Sequence, residues 1–147
     1  MSIHSFLSVR TGDSELSRRI EEQFGEHLVF VYGTLLTGEA NHDYYLKDSG
    51  PACKGYITGF EMYDIGSFPG IVYGEGIVLG ELYAVTPQVL ERLDCLEGEG
   101  SLYIREFVPV TVDNGFPVFA SVYVYNGSVE GLDRIPESAQ PYTADWR

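Results

Sequence analysis

Residues 28–36 read Leu28-Val29-Phe30-Val31-Tyr32-Gly33-Thr34-Leu35-Leu36. The first five are apolar without a break, which is typical of a strand that is buried on both faces. Gly33 ends this run, and residues 33–38, which contain two glycines, are typical of a loop. We therefore predict a core strand that ends in a loop at Gly33.

Further strand signals follow this core strand along the chain. Residues 54–63 and 76–85 have strand character, and the glycine-containing stretches 66–70 and 73–76 between them indicate turns. Many short strands with few helices predict an α+β fold, a small and mostly antiparallel sheet or β-barrel with a few flanking helices.

A hairpin is predicted between residues 104–112 and 116–125. The first segment alternates apolar and polar residues, and Asn114-Gly115 fits a two-residue hairpin turn best. On the returning strand, the period of two places Ser121, Tyr123 and Tyr125 on one face.

One helix is predicted over residues 87–97. Thr86 fits the N-cap, Pro87 the first helical position and Gly98 the stop. With Leu90 set at zero and about 100° per residue, the apolar face lies between roughly 240° and 360°. That face contains Val89, Leu90, Leu93 and Leu96.

Glu97 falls at roughly 340°, inside this apolar face. A carboxylate at a core position loses hydration, which raises its pKa toward the range that a general acid/base requires. The alternative is that the helix frays at Gly98 and leaves Glu97 in water. Periodicity alone does not separate the two interpretations.

Composition limits the classes of function. The chain has 147 residues, 44% of them hydrophobic, and a net charge of −13. This length predicts a single main domain with a sizeable core. The negative charge argues against a nucleic-acid partner, because phosphate contacts need clustered Lys and Arg.

No membrane span or signal peptide is indicated, since no segment has about 20 apolar residues and residues 1–10 lack a long apolar run. Two cysteines, Cys53 and Cys95, form neither a disulfide framework nor a metal pattern. Two thiols without a framework fit a reduced compartment, so we expect a cytoplasmic protein. A single disulfide is the alternative. The three histidines lack zinc-ligand spacing, and no metal site is expected.

Residues 1–27 are interpreted as an N-terminal extension with a short helix, and residues 28–147 as the main domain. The helix would be capped by Asp13 or Ser14 and would end at Gly25. Its apolar stripe would consist of Leu16, Ile20 and Phe24.

Three segments, in this order and spacing, resemble the gamma-glutamylcyclotransferase superfamily, which includes AIG2-like proteins. They are Val31-Tyr32-Gly33-Thr34-Leu35, then Gly80-Glu81-Leu82-Tyr83 leading to Leu93-Asp94-x-x-Glu97-Gly98, and then Tyr103-x-Arg105 followed by Ala120-x-Val122-Tyr123-x-Tyr125. The resemblance extends over roughly residues 28–126. It implies a small barrel-like α+β domain with a pocket at one end.

The resemblance also implies a reaction that needs no cofactor or metal. The α-amine of a γ-glutamyl amide attacks its own γ-carbonyl, which gives 5-oxoproline and a free amine. Glu97 matches the glutamate of the family, and it would accept the proton of the α-amine and later deliver a proton to the leaving amine.

The same resemblance implies a set of substrate-binding residues. The backbone N–H groups of Tyr32, Gly33, Thr34 and Leu35 would hold the α-carboxylate. Tyr125 shares a strand face with Tyr123, and its hydroxyl could bind the substrate. Packing is the alternative role for Tyr32 and Tyr125, and Arg105 is expected to form a structural ion pair.

The sequence does not identify which γ-glutamyl amide is the substrate. Candidates are a γ-glutamyl amino acid, a γ-glutamyl amine, and a γ-glutamyl-protected natural-product intermediate such as an aminoglycoside. The acidic surface favours a cationic leaving amine. The alternatives of another class are a non-catalytic module of the same fold that binds a small metabolite, and an amide hydrolase that uses water.

Overall fold

The computed structural model describes residues 27–50, 52–112, 115 and 117–147. The predicted N-terminal helix lies outside these residues. The elements in chain order are β1 His27–Val31, α1 His42–Tyr45, β2 Cys53–Asp64, β3 Pro69–Val85, α2 Pro87–Glu97, β4 Tyr103–Val112, β5 Pro117–Tyr125, β6 Arg134–Ile135 and a 3₁₀ turn Glu137–Ala139.

Strands β1 to β5 form a closed barrel. Their order is β3-β1-β5-β4-β2, and β2 pairs back with β3, while β6 adds to β2. The β1–β5 pair is parallel, and the other pairs among the described strands are antiparallel. The prediction of a small, mostly antiparallel barrel with a few helices is confirmed.

Strand β1 pairs with β3 on one side and with β5 on the other. Residues 28–31 are each at most 3% exposed, as the prediction of a strand buried on both faces requires. Burying four consecutive apolar side chains stabilises the fold by roughly 1.5–3 kcal/mol for each large residue.

The predicted turn at residues 73–76 is wrong, because these residues lie inside β3. A Cβ on Gly74 would lie 2.6 Å from Glu61 Oε2, and one on Gly76 would lie 2.8 Å from the Phe60 carbonyl oxygen. The two glycines therefore allow β3 to pass close to β2, beside a register shift between Thr58 and Phe60.

The β4–β5 hairpin is confirmed, but its two-residue turn is wrong. A two-residue turn at Asn114-Gly115 would place Val112 opposite Pro117, whereas the ladder places Thr111 there. Residues 113, 114 and 116 themselves lie outside the described residues. Gly115, with φ of 82°, donates its N–H to the Val112 carbonyl at 2.8 Å. A glycine with positive φ at the end of a turn is usual in longer hairpin loops.

Helix α2 begins and ends where the sequence predicts. Thr86 Oγ1 accepts the Val89 N–H at 3.2 Å, and Gly98 adopts the left-handed conformation with φ of 60°. The N–H groups of Gly98 and Glu99 donate to the carbonyls of Cys95 and Asp94, the pattern of a Schellman motif. The helix therefore does not fray at Glu97, and the alternative interpretation is wrong.

The C-terminal segment packs back on the barrel. Trp146 donates its indole N–H to Asp64 Oδ2 at 3.2 Å, and Arg147 reaches the same oxygen at 3.1 Å. No helix in the described part of the chain is both long enough and apolar enough to cross a membrane.

Replacing Gly98 tests the left-handed helix end. Gly98→Ala should lower the free energy of unfolding by about 1–2 kcal/mol, since a Cβ is unfavourable in this conformation. Gly98→Asn is the matched control and should cost less, because asparagine tolerates the left-handed region. Urea unfolding measures both changes, and equal costs for the two variants would contradict this explanation of the helix end.

Candidate functional site

A cavity of about 340 Å³ lies at the end of β1. Four segments build its wall: the loop after β1, the segment before and at the start of β3, the end of α2, and the facing parts of β4 and β5. The lining residues are Phe30, Val31, Tyr32, Gly33, Thr34, Leu35, Ala40, Asn41, Ser67, Phe68, Pro69, Leu96, Glu97, Leu102, Tyr103 and Tyr123. A mostly apolar wall with a few polar groups is typical of a small-molecule site.

The fold brings most of the predicted site residues together. Glu97 and the four residues Tyr32 to Leu35 all line the cavity, although they are more than 60 positions apart in sequence. Tyr125 does not line it. Its ring instead packs edge to face on Tyr103, with 5.8 Å between ring centroids, and Tyr103 lines the cavity in its place. The prediction that Tyr125 contacts a substrate is therefore not supported.

Glu97 is the last residue of α2 and is partly buried in the cavity wall. Burial raises the pKa of its carboxyl from an ordinary 4.5 to about 7, because an ionised carboxylate loses hydration there. Near neutral pH, Glu97 is therefore present in both protonation states, which a group that accepts and returns a proton requires.

Three tyrosines interact electrostatically with Glu97: Tyr32 directly after β1, Tyr103 on β4 and Tyr123 on β5. The Tyr32 hydroxyl donates to the Tyr123 carbonyl at 2.6 Å, and the Tyr103 hydroxyl donates to the Pro69 carbonyl at 2.7 Å. The Tyr123 hydroxyl donates to Asp94 Oδ1 at 2.7 Å. Each hydroxyl proton is thus held by an acceptor other than Glu97. The Tyr32 oxygen also accepts a hydrogen bond from the Ile71 backbone, but a phenolic oxygen has two lone pairs, so even Tyr32 retains one acceptor position.

The loop after β1 begins with a tight turn. Leu36 N donates to the Gly33 carbonyl at 3.0 Å, and Asn41 N and Nδ2 donate to Thr34 O and Oγ1, both at 2.9 Å. The turn uses the Leu36 N–H, and this bond does not engage the N–H groups of Thr34 and Leu35. Such backbone N–H groups at a cavity wall can bind an anion.

A polar cluster on β3 holds the same loop. Glu81 Oε1 accepts bonds from Thr37 N at 2.9 Å, Thr37 Oγ1 at 3.1 Å and Tyr83 OH at 3.2 Å. His42 Nε2 lies 3.0 Å from the Tyr83 hydroxyl oxygen. No role was predicted for Glu81 or Tyr83 from the sequence. The pattern that could have linked them is their spacing, because residues two apart on a strand share a face.

Pro69 and Tyr103 were also missed as residues of the site. A Cβ on Gly33 would lie 2.7 Å from Pro69 Cγ, so the first loop and the start of β3 are packed closely. This contact requires glycine at position 33 and sets the width of the cavity. The local sequence Phe68-Pro69-Gly70 does not indicate that Pro69 lies in the cavity wall.

Arg105 forms the structural ion pair that was predicted. Its Nε lies 3.0 Å from Asp94 Oδ1, and its Nη1 donates to Ser121 Oγ at 3.4 Å. Cys53 and Cys95 do not form a disulfide.

Comparisons with known proteins identify the family of this chain. The family model described as "Gamma-glutamyl cyclotransferase, AIG2-like" matches residues 29–147. A putative gamma-glutamylcyclotransferase of Methanocaldococcus jannaschii is 40% identical over 100 residues, which cover 66% of this chain and 82% of that protein.

Two further similarities extend the comparison. A gamma-L-glutamyl-butirosin B gamma-glutamyl cyclotransferase of Niallia circulans is 40% identical over 105 residues, covering 67% of this chain and 66% of that protein. The crystal structure of an AIG2-like protein from Mus musculus matches with a TM-score of 0.63 at 30% identity, covering 74% of this chain and 85% of the mouse chain.

The buried carboxyl of Glu97 should make stability depend on pH. Its pKa in the folded state, about 7, lies above the ordinary 4.5. Folding therefore binds the proton more tightly, and the stability that this provides is lost as pH rises from about 4.5 to 7. Glu97→Gln, which resembles the protonated acid, should exceed wild type by about 3 kcal/mol at pH 8 and match it near pH 4.

Urea unfolding at pH 4, 6 and 8 measures this difference, with Glu91→Gln as the matched control, because Glu91 is exposed on the same helix. An equal effect of the Glu97 substitution at all three pH values would show that the carboxyl is not shifted by burial.

Proposed function

The chain belongs to the gamma-glutamyl cyclotransferase, AIG2-like family, and from this premise we propose that it cleaves a γ-glutamyl amide by intramolecular cyclisation. The single observation that carries the proposal is a half-buried carboxyl, Glu97, in the wall of a small cavity that the glycine-containing loop after β1 also lines. The proposed products are 5-oxoproline and a free amine.

Glu97 acts in this proposal as the general base and then as the general acid. The α-amine of the substrate is an ammonium ion near neutral pH and cannot attack a carbonyl. A carboxylate with a pKa near 7 accepts the proton efficiently and, once protonated, is acidic enough to return it. The same side chain therefore serves both halves of the reaction.

The bonds of the reaction balance without water. The α-nitrogen forms a bond to the γ-carbon, which becomes tetrahedral, and the C–N bond to the leaving amine then breaks. Two protons pass from the α-nitrogen to the leaving nitrogen. Glu97 takes the first from the α-ammonium before the attack and delivers it as the C–N bond breaks, and the second, which the ring nitrogen loses to become the lactam N–H, leaves with the product amine as its ammonium ion. Because nucleophile and carbonyl belong to one molecule, holding the glutamyl chain folded supplies an effective molarity that can reach about 10⁵–10⁸ M.

The substrate α-carboxylate is assigned to the loop after β1. The described residues that line the cavity include no Lys or Arg, so backbone dipoles are the partners that they offer an anion. The N–H groups of Gly33, Thr34 and Leu35 are at the cavity wall, and Gly33 lets the backbone approach closely.

The hydroxyl oxygens of Tyr32, Tyr103 and Tyr123 suit the ammonium end of the same substrate. Their protons are held by other acceptors, so their lone pairs can accept from an N–H⁺ group. The α-carboxylate and the α-ammonium are attached to the same carbon, so the N–H donors of the loop and the tyrosine acceptors would bind two groups at one end of the glutamyl chain.

We further propose that the leaving amine is cationic. The two loops that border the cavity, residues 33–41 and 97–102, carry Glu39, Glu97 and Glu99 but no Lys or Arg. Such a rim attracts a polycation and repels the carboxylate of a γ-glutamyl amino acid. The Niallia circulans relative is named for γ-L-glutamyl-butirosin B, which favours an aminoglycoside-like leaving group.

Substitution of the proposed base tests the function directly. Glu97→Gln should fold and lose turnover by about 10²–10⁴-fold, because the amide cannot accept the α-ammonium proton. Mass spectrometry of a panel of γ-glutamyl amides measures release of 5-oxoproline, with Glu91→Gln as the control that keeps activity.

The product identifies the alternatives to cyclisation. Glutamate in place of 5-oxoproline would indicate a hydrolase, and ligand binding by wild type without turnover would indicate a binding module. Near-normal 5-oxoproline release by Glu97→Gln would rule out the role of Glu97.

The salt dependence of specificity tests the cationic leaving group. Two γ-glutamyl amides of similar size are compared, one with a polycationic amine and one with a neutral amine. The preference in kcat/KM for the polycation should fall several-fold as ionic strength rises, because salt screens the rim charges. Glu99→Gln should weaken the preference, whereas Glu75→Gln, exposed on β3 outside the two loops, should leave it unchanged. A preference independent of ionic strength would contradict the proposal.

A further inference from the structure

Asp94 lies one helical turn before Glu97 on α2 and makes two charged or polar contacts across the barrel. Its Oδ1 accepts the Tyr123 hydroxyl at 2.7 Å and lies 3.0 Å from Arg105 Nε. The side chains of Asp94 and Arg105 are only 26% and 32% exposed. A partly buried pair of this kind is screened less than a surface pair.

These contacts tie both flanks of Glu97 to the sheet. On its N-terminal side, Asp94 is held by β4 and β5 through Arg105 and Tyr123. On its C-terminal side, Glu99 Oε2 accepts the backbone N–H of Arg105 at 3.1 Å. Arg105 therefore contacts the helix and the loop that follows it, and Glu97 lies between the two attachment points.

Tyr123 also joins the two halves of the cavity. Its hydroxyl reaches Asp94 on α2, while its carbonyl accepts the hydroxyl of Tyr32 at the end of β1 at 2.6 Å. A shift of the last turn of α2 would therefore be transmitted to the residue that precedes the Gly33 loop. The Asp94 contacts thus fix the proposed base relative to the proposed anion-binding loop.

The charges of this pair act on Glu97 in opposite directions. Residues three apart on a helix have Cβ atoms about 5–6 Å apart, so Asp94 alone would disfavour a second negative charge at Glu97. Arg105 alone would favour it. The groups facing this region are Tyr32 directly after β1, Tyr103 from β4, Tyr123 from β5, and Glu99 in the loop after α2. Burial raises the pKa of each of the three tyrosines, so all three are neutral near pH 7.

We propose that the Asp94–Arg105 ion pair is a positioning element for Glu97, which fixes the last turn of α2 against β4 and β5 and cancels the charge that either partner alone would place beside the base. The role in turnover rests on the proposed function. The effect on the Glu97 carboxyl does not, because it is a property of the free protein.

Breaking the pair from either side gives shifts of opposite sign. Asp94→Asn keeps an acceptor for the Tyr123 hydroxyl but leaves Arg105 unpaired, so the titration midpoint of Glu97 should fall by about half a pH unit or more. Arg105→Gln leaves Asp94 unpaired, and the midpoint should rise by a similar amount. The double variant should return close to the wild-type value.

NMR titration of isotope-labelled glutamate side chains measures the midpoint, with the Glu97 signal assigned by its loss in Glu97→Gln. The kcat/KM profile is recorded in parallel, and its acid limb should follow the same order: Asp94→Asn, wild type, Arg105→Gln. A clamp that only stabilises the fold would lower the unfolding midpoint of both variants without moving the titration in opposite directions.

Shifts in the same direction, or no shift in folded variants, would overturn the inference. Opposite shifts in a protein that releases no 5-oxoproline would support the ion-pair effect while rejecting the proposed function. Opposite shifts with a matching acid limb would support both.

Discussion

The site depends on one strand pairing, the parallel contact between β1 and β5. Parallel strands end on the same side, so the loop after Val31 lies beside the C-terminal part of β5, where Tyr123 is found. Parallel pairing cannot be made by a short turn and needs a long connection, and here most of the barrel lies between the two strands in sequence. The end of α2 meets the same edge and brings Glu97 to it.

At this edge the protein tolerates a carboxyl whose ionised form is unfavourable. Desolvation raises the pKa of Glu97, and the nearby tyrosine protons are directed to Pro69, Asp94 and the Tyr123 carbonyl instead of to Glu97. A donor aimed at the carboxylate would lower its pKa. The wall thus keeps Glu97 a moderately strong base, at a cost in stability that the buried core offsets.

The charges of the cavity lining differ from those of its rim. Among the described residues, the cavity lining contains one carboxyl and no Lys or Arg. In the proposed function, backbone N–H groups therefore bind the anionic group of the substrate, and the acidic rim attracts the cationic leaving amine. Arg105, on the strand that follows α2, is paired with Asp94. Membership of the gamma-glutamyl cyclotransferase, AIG2-like family agrees with a pocket that receives a zwitterionic glutamyl group.

The sequence by itself determined the parts of this protein that depend on neighbouring residues. Thr86, Pro87 and Gly98 set the limits of α2, and with them the inward direction of Glu97, because capping and helical period are local. The apolar run of β1 and its stop at Gly33 were equally local. Where one local pattern fits two different structures, only the tertiary structure decided between them.

Gly74 and Gly76 suit a turn as well as a close approach, and Glu61 on a neighbouring strand selects the second. Tyr123 and Tyr125 are predicted on the same strand face, but Tyr123 lines the cavity and Tyr125 does not. Tyr103 lines the cavity where Tyr125 was expected. The Asp94–Tyr123 and Glu81–Thr37 contacts join segments distant in sequence, because the folding of the barrel and not chain order makes them neighbours.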